Sequence, residues 1–162
     1  MGLVNFLPWW GHIREKVPDA ELHIFYGWSP TFHQQMAGNP PKWLKDTYEK
    51  VEELRHQPGV FWHGKVDQKR VNEEHAKAGI WCYPTEWPEI SGITAMRATA
   101  HGNICFVTDD FAVRETTQHG QKFEGPMDQP EKQRPLIDAV INEMLNPTPA
   151  EERKEMIEWA RN

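Results

Sequence analysis

The stretch "IWCYPTEWPEISGITAMRATAHGNICFVTDD", residues 80–110, decides the architecture. It opens on an apolar and aromatic run, 80–85, that reads as a strand. A proline-punctuated acidic loop follows. Residues 91–101 place small and apolar side chains at helical spacing and stop at Gly102, a helix-ending residue. A second apolar run, 103–110, reads as the next strand. Both strands are continuous apolar runs more than strict alternations. That pattern predicts parallel strands buried on both faces, joined by a crossover helix.

The same alternation continues outward. Residues 67–79 begin with Asp67 in N-cap position and end in glycine, which predicts a helix. Residues 60–66 read as a strand ending at Gly64. Residues 42–59 carry Trp43, Leu44, Tyr48, Val51 and Leu54 along one side and read as a helix. "SPTFHQQMAGNPP", 29–41, is rich in breakers and reads as a long loop. "ELHIFYGW", 21–28, reads as a strand. Residues 2–16 read as an amphipathic helix kinked near Pro8 and ended by "VPDA". Downstream, a short helix is expected around "AVRETTQHG". Two more follow over 131–146 and 148–160, the second started by a Thr-Pro step and two glutamates. The expected fold is a single α/β domain with a Rossmann-like parallel sheet flanked by helices. Ligands of such sheets bind at the carboxyl ends of the strands.

Composition narrows the function classes. The chain has 162 residues, 38% hydrophobic and 26% charged, with net charge -6. That balance speaks against a broad nucleic-acid-binding face. No run approaches the ~20 apolar residues of a membrane span. The first residues lack a basic leader segment and a small-residue cleavage site, so they read as helix and not as a signal peptide. The only two cysteines, Cys82 and Cys105, lie inside apolar runs. Buried free thiols fit a reducing, cytoplasmic setting better than a disulfide framework.

A helix beginning near Ser91 leaves its first N–H groups unpaired, pointing toward the carboxyl edge of the sheet. With the helix dipole they suit a phosphate or another anion. Ser91 and Gly92 are small enough to let a diphosphate approach, and Glu89 sits at the lip. The plainer alternative is that Ser91 caps the helix and Glu89 complements its positive end.

The segment "YPTEWPEISGITAMRATAHGNICFVTDD" resembles the donor-binding segment of family 4 glycosyltransferases, which have the GT-B fold. Flanking segments are similar in the same order: "GLVNFLPWWGHIREKVPDAELHIFYG", "VFWHGKVDQKRVNEEHAKAGIWCYPT" and "DFAVRETTQHG". The resemblance implies that 1–162 is the C-terminal, sugar-nucleotide-binding domain of such an enzyme. It places the N-terminal acceptor domain, in cis or trans, and this domain's first strand outside the chain. It implies retaining transfer from a nucleotide-diphosphate sugar to an acceptor hydroxyl, with no metal and no resident cofactor.

Residue by residue, the resemblance makes Glu89 the catalytic carboxylate that contacts the transferred sugar. Ile90, Ser91, Gly92 and Ile93 would hold the diphosphate through their backbone. Gly64, Lys65 and Val66, with Tyr83 and Pro84, would surround the base. Glu115 matches a recurrent loop glutamate, and His63 and Glu86 lie near enough to join the site. Arg97 departs from the pattern, because it stands where the family carries a ribose-binding glutamate. An arginine donates hydrogen bonds and accepts none. It is left to bind ribose oxygens or phosphate, or to pair with an acid on the surface. The family's basic pair falls outside the chain, and Lys65 is the nearest cation within it.

Other chemistries fit less well. The eight histidines show no metal-ligand spacing. His101 reads as a charge partner at a helix end. The aspartates of "TDDF" sit where catalytic carboxylates can sit, but loop solvation or capping explains them as well. Ser91 lacks the Gly-x-Ser-x-Gly elbow of a nucleophile. Trp9, Trp10, Trp28, Phe32 and Trp43 read as core, or, where exposed, as a surface for self-association or a neighbouring domain. Two other functional classes stay open: a non-catalytic binding module of the same fold, and a flavodoxin-like protein.

Overall fold

The computed structural model describes residues 2–161. The chain begins with helix α1 (Leu3–Phe6), a tight turn at Leu7–Trp9 around Pro8, and helix α2 (Trp10–Lys16). The expected kink at Pro8 is this tightened turn. Phe6, Leu7, Trp10 and Ile13 are all buried, so the amphipathic stripe faces inward. Strand β1 (Leu22–Phe25) follows, then α3 (Pro30–Ala37), α4 (Lys42–Leu54), β2 (Val60–Gly64), α5 (Gln68–Lys77) and β3 (Ile80–Tyr83). The second half runs α6 (Ile93–Ala100), β4 (Ile104–Thr108), α7 (Phe111–Thr116), β5 (Gln121–Phe123), α8 (Pro130–Leu145) and α9 (Ala150–Arg161).

Two local readings need correction. Residues 29–41 are not a loop throughout, because α3 occupies most of them. Ser29 accepts the Phe32 N–H through its side chain and Pro30 opens the first turn, so Ser-Pro starts a helix there instead of breaking one. Strand β5 was not expected. It has three residues, two of them polar and exposed, and so shows no apolar run.

All strands are parallel, as the apolar runs predict. Hydrogen bonding divides them into a pair, β1–β2, and a triplet, β3–β4–β5. Leu22 pairs with Val60 in the first group, and Ile80 with Ile104 in the second. The two groups share a core: Leu22, Val60, Ile80 and Cys82 all pack on the cluster built by Trp10, Ile13, Phe106 and Ile137. Strand β4 is buried throughout and alternates. Ile104 and Phe106 face α2 and α8, while Cys105 and Val107 face α6 and α7. Helices therefore cover both faces of the triplet. The outer face of β1–β2 is barer. Phe61, His23, His63 and Phe25 form a ladder of stacked rings there, with centroids 4.9, 5.1 and 4.6 Å apart.

Among the described residues, the edges of β1 and β3 that face away from their partners carry no further strand. Leu22 and Tyr26 donate to Gly59 and Gly64 on β2's side. The alternation of a parallel strand then turns the main chain of His23 and Phe25 outward. By the same rule Ile80 and Cys82 turn away from β4, since Gly79 accepts from Ile104.

Candidate functional site

The carboxyl ends of β1–β4 lie along one edge, and the loops leaving them carry most of the candidate residues. Strand β3 stops at Tyr83. The buried Thr85 then accepts the Trp87 N–H, folding residues 84–88 into a turn. At the far end of this loop the Glu89 carbonyl accepts from Ala112 on α7, 3.1 Å away. The loop is thus pinned to both flanking elements before α6 begins.

Helix α6 starts at Ile93, two residues later than expected. Gly92 occupies the N-cap position in a left-handed conformation, φ +59°. Only glycine fits there. A Cβ would collide with Thr116 Oγ1, and the backbone angle is unfavourable for other residues. Ser91 therefore does not cap the helix through its side chain. Glu89 Oε1 instead accepts the N–H groups of Ser91 and Gly92, the two amides just ahead of the helix, at 3.3 Å. The expectation of open amides needs qualifying at Ser91 and Gly92 alone, since no side chain caps the first turn of α6 itself. Those two N–H groups do converge on one anionic oxygen, but that oxygen belongs to the protein.

The other candidates spread over neighbouring surfaces. Arg97 is exposed on α6, and its Nη1 donates to Gln68 Oε1 at 2.6 Å, not to an acid. This contact brings Arg97 beside the loop 65–67 that leaves β2. Gly64 ends β2 at φ +68°, and Lys65 is exposed just beyond it. Val66 is half-buried in that loop. Pro84 is buried under the start of α1, where a Cβ on Gly2 would press on its carbonyl. Glu86 and Glu115 are exposed. His63 sits in the ring ladder, its Nε2 2.9 Å from His23 Nδ1. Burial, and then the neighbouring His23, hold its pKa below the ordinary 6.5.

The remaining titratable groups have structural partners. Asp110 accepts the Phe111 N–H and Asp109 pairs with Arg114 at 2.8 Å, so "TDDF" caps and braces α7. His101 binds the Arg97 carbonyl at the end of α6. Burial pushes the Cys105 thiol up to about 11 and the Cys82 thiol up as well, so neither is a nucleophile at neutral pH. Among the described residues, no group of three or more His, Cys, Asp and Glu is placed to hold a metal ion.

Around the loop stand exposed apolar side chains: Trp87 (70% exposed), Ile90 (92%), Ile93 (53%), Met96 and Phe111. Phe111 also has a left-handed backbone, φ +50°. Of the early aromatic set, Trp10 is core and Trp9, Trp28 and Phe32 are half-buried. Trp43 alone of the five lies exposed on α4.

A cavity of about 550 Å³ opens beside these loops, past β1 and β2. It meets the candidate set only at Gly64 and Lys65. Tyr26, Trp62, Glu52 and Arg55 line it, and none was singled out from the sequence. The available signal was Tyr26-Gly27, a breaker at the end of an aromatic strand.

The description "Glycosyl transferases group 1" matches residues 2–162. The chain belongs to that family. No curated protein matches it closely enough to stand as a relative. Glycosyl transfer is thus the chemistry of this group 1 glycosyltransferase's family, and sugars are its substrates. No helix among the described residues is long and apolar enough to cross a membrane.

Proposed function

We propose that this chain is the donor-binding half of a retaining, GT-B-type glycosyltransferase that takes a nucleotide-diphosphate sugar. The observation that carries the reading is the convergence of two main-chain N–H groups, Ser91 and Gly92, on one acidic oxygen. In the donor complex a diphosphate oxygen takes that place and Glu89 swings toward the sugar hydroxyls. The bonds to Glu89 are long, at 3.3 Å, and so are weak competitors for a doubly charged ligand. Ile90 and Ile93 continue the same cradle. Gly64, Lys65 and Val66, with Tyr83 and Pro84, border the base. Arg97, held beside the loop after β2, faces the ribose or phosphate as a donor. Fixed N–H groups and cations would stabilise the departing diphosphate without a metal.

An acceptor-binding domain completes the enzyme, in the same polypeptide or in a partner. The exposed apolar rim at Trp87, Ile90, Ile93 and Phe111 is where it would close. The unpaired edges of β1 and β3 are where a further parallel strand would bond. Two free thiols, Cys105 buried and Cys82 half-buried, agree with a cytoplasmic setting.

Calorimetry with a panel of sugar nucleotides, bare nucleoside diphosphates and pyrophosphate tests this. Glu89→Ala should weaken the sugar nucleotides while leaving pyrophosphate unchanged or tighter, because the competing carboxylate is gone. Silence across the panel would overturn it. That result favours the second reading, a non-catalytic module of the same fold, for which Glu89 is simply a helix cap.

A further inference from the structure

The Ser91 and Gly92 amides lie just ahead of α6, and the Gly64–Val66 loop leads into α5. If the first pair holds a diphosphate and the second borders a base, the pentose joining them lies between the starts of these two helices. Arg97 comes one turn after Ile93 on α6. Helical side chains lean toward the N-terminus of their own helix, which brings the guanidinium back beside Ile93. Its Nη1 donates to Oε1 of Gln68, the first residue of α5, at 2.6 Å. That contact holds Arg97 across the gap between α6 and α5.

The polarity of this gap is one-sided. Arg97 donates hydrogen bonds and accepts none. Gln68 is engaged at both ends, since its Oε1 accepts from Arg97 and its Nε2 donates to Asn72 Oδ1 at 3.0 Å. Asp67 caps α5, its Oδ1 accepting the Arg70 N–H at 2.8 Å, so its carboxylate is turned onto its own helix. Lys65 adds a second exposed cation. A pentose hydroxyl entering here finds donors for its oxygen, and no side-chain acceptor held ready for its proton.

We propose, on the donor reading already given, that Arg97 leaves the site blind to the pentose 2′-hydroxyl, so that 2′-deoxyribonucleotide donors bind as well as ribonucleotide donors. A site rejects an analogue lacking a hydroxyl when the loss leaves a fixed, desolvated group of the protein unpaired. Here the loss leaves nothing unpaired. The exposed guanidinium keeps Gln68, and it can still donate to the 3′-hydroxyl oxygen, the pentose ring oxygen or the diphosphate. All three are common to both kinds of donor. Arg97 is thus a specificity-determining residue that widens the donor class.

The test compares matched pairs by calorimetry on the whole chain: UDP with dUDP, ADP with dADP, and GDP with dGDP. For the base that binds best, the two members should agree within roughly threefold. Arg97→Met should weaken both members by the same factor. Arg97→Glu puts an acceptor where the donor stood. Both affinities fall with the lost cation, but the ribose member should now lead by roughly tenfold or more. Reading the ratio separates pentose selection from a general loss of affinity or of folded protein. A parent chain that favours the ribose member by more than roughly tenfold would overturn the proposal and leave the donor reading standing. So would an Arg97→Glu ratio equal to that of the parent. No binding by any pair would remove the proposal and the donor reading together.

Discussion

Arg153 Nη2 and Glu143 Oε1 lie 2.6 Å apart at the junction of α8 and α9, and Glu143 is 5% exposed. The same guanidinium donates to the carbonyls of Gly79 and Gly102, at 2.9 and 2.7 Å. Gly79 immediately precedes β3, and Gly102 stands two residues before β4. One side chain thus ties the C-terminal helices to the amino ends of two neighbouring strands. The opposite ends of those strands feed the candidate site.

Arg153→Met should therefore be strongly destabilising. It leaves the buried Glu143 carboxylate with only the Thr148 backbone and hydroxyl as partners. Removing one member of a buried pair costs about 3 kcal/mol or more. For a domain of this size that lowers Tm by roughly 6–12 °C. Adding Glu143→Leu should restore part of the loss, since the orphaned charge goes with it. Scanning calorimetry on both variants decides it. A double variant no more stable than Arg153→Met would show that Arg153 acts mainly through the glycine carbonyls.

Stability should fall as pH drops from 7 toward 5. His75 is buried, and burial is the main cause of its pKa lying below 6.5. Its Nδ1 lies 2.7 Å from Asn103 Oδ1, and Asn103 in turn donates to the His75 and Ala78 carbonyls. Above pH 6.5 the ring is neutral both folded and unfolded, so it adds no pH dependence. Below 6.5 the unfolded chain takes the proton first, and stability is lost until the folded pKa is reached. His63 has the same sign. Thermal unfolding across this range should show the decline, and His75→Gln should flatten it. An unchanged slope in that variant would assign the effect to His63 and other groups.

Gly92→Ala should cost about 1–2 kcal/mol from the backbone angle alone, with the Thr116 collision added. Thr116→Ala in the same chain should recover only the collision. Urea unfolding of the single and double variants separates the two contributions. If the double variant regains full stability, the left-handed conformation is not what requires glycine. This start of α6 was only half legible. Gly102 and the apolar spacing gave the helix and its end. The Glu89 turn ahead of the helix was hidden because it depends on loop geometry and not on periodicity.

The same division holds elsewhere. Long amphipathic segments such as α4 and α8, and the apolar runs of β3 and β4, were readable because burial imposes period and composition on them. Strand β5 was not, since its neighbours on β4 supply the apolar contact and its own residues are polar. The aromatic cavity was illegible for another reason. Tyr26, Trp62 and Arg55 come from three separate segments, and only the fold brings them together.

Hydrogen exchange should find the two inner sheet edges poorly protected. The amides of Phe25 and Cys82 point away from their paired strands, whereas β4 is paired on both sides and buried. Neither inner edge carries a lysine or proline to discourage pairing, while the short β5 carries Lys122. Unblocked apolar edges over a shared core are suited to receive a strand. Phe25 and Cys82 amides should exchange roughly a hundredfold faster than those of Phe106 and Val107. Gly2 packs on Pro84 at the carboxyl end of β3, so an apolar segment joined ahead of Gly2 can run parallel to both edges. Attaching one should slow Phe25 and Cys82 exchange and leave Phe106 unchanged. Equal protection at all four amides before any addition would mean that the edges are already closed, and would remove the case for a further strand.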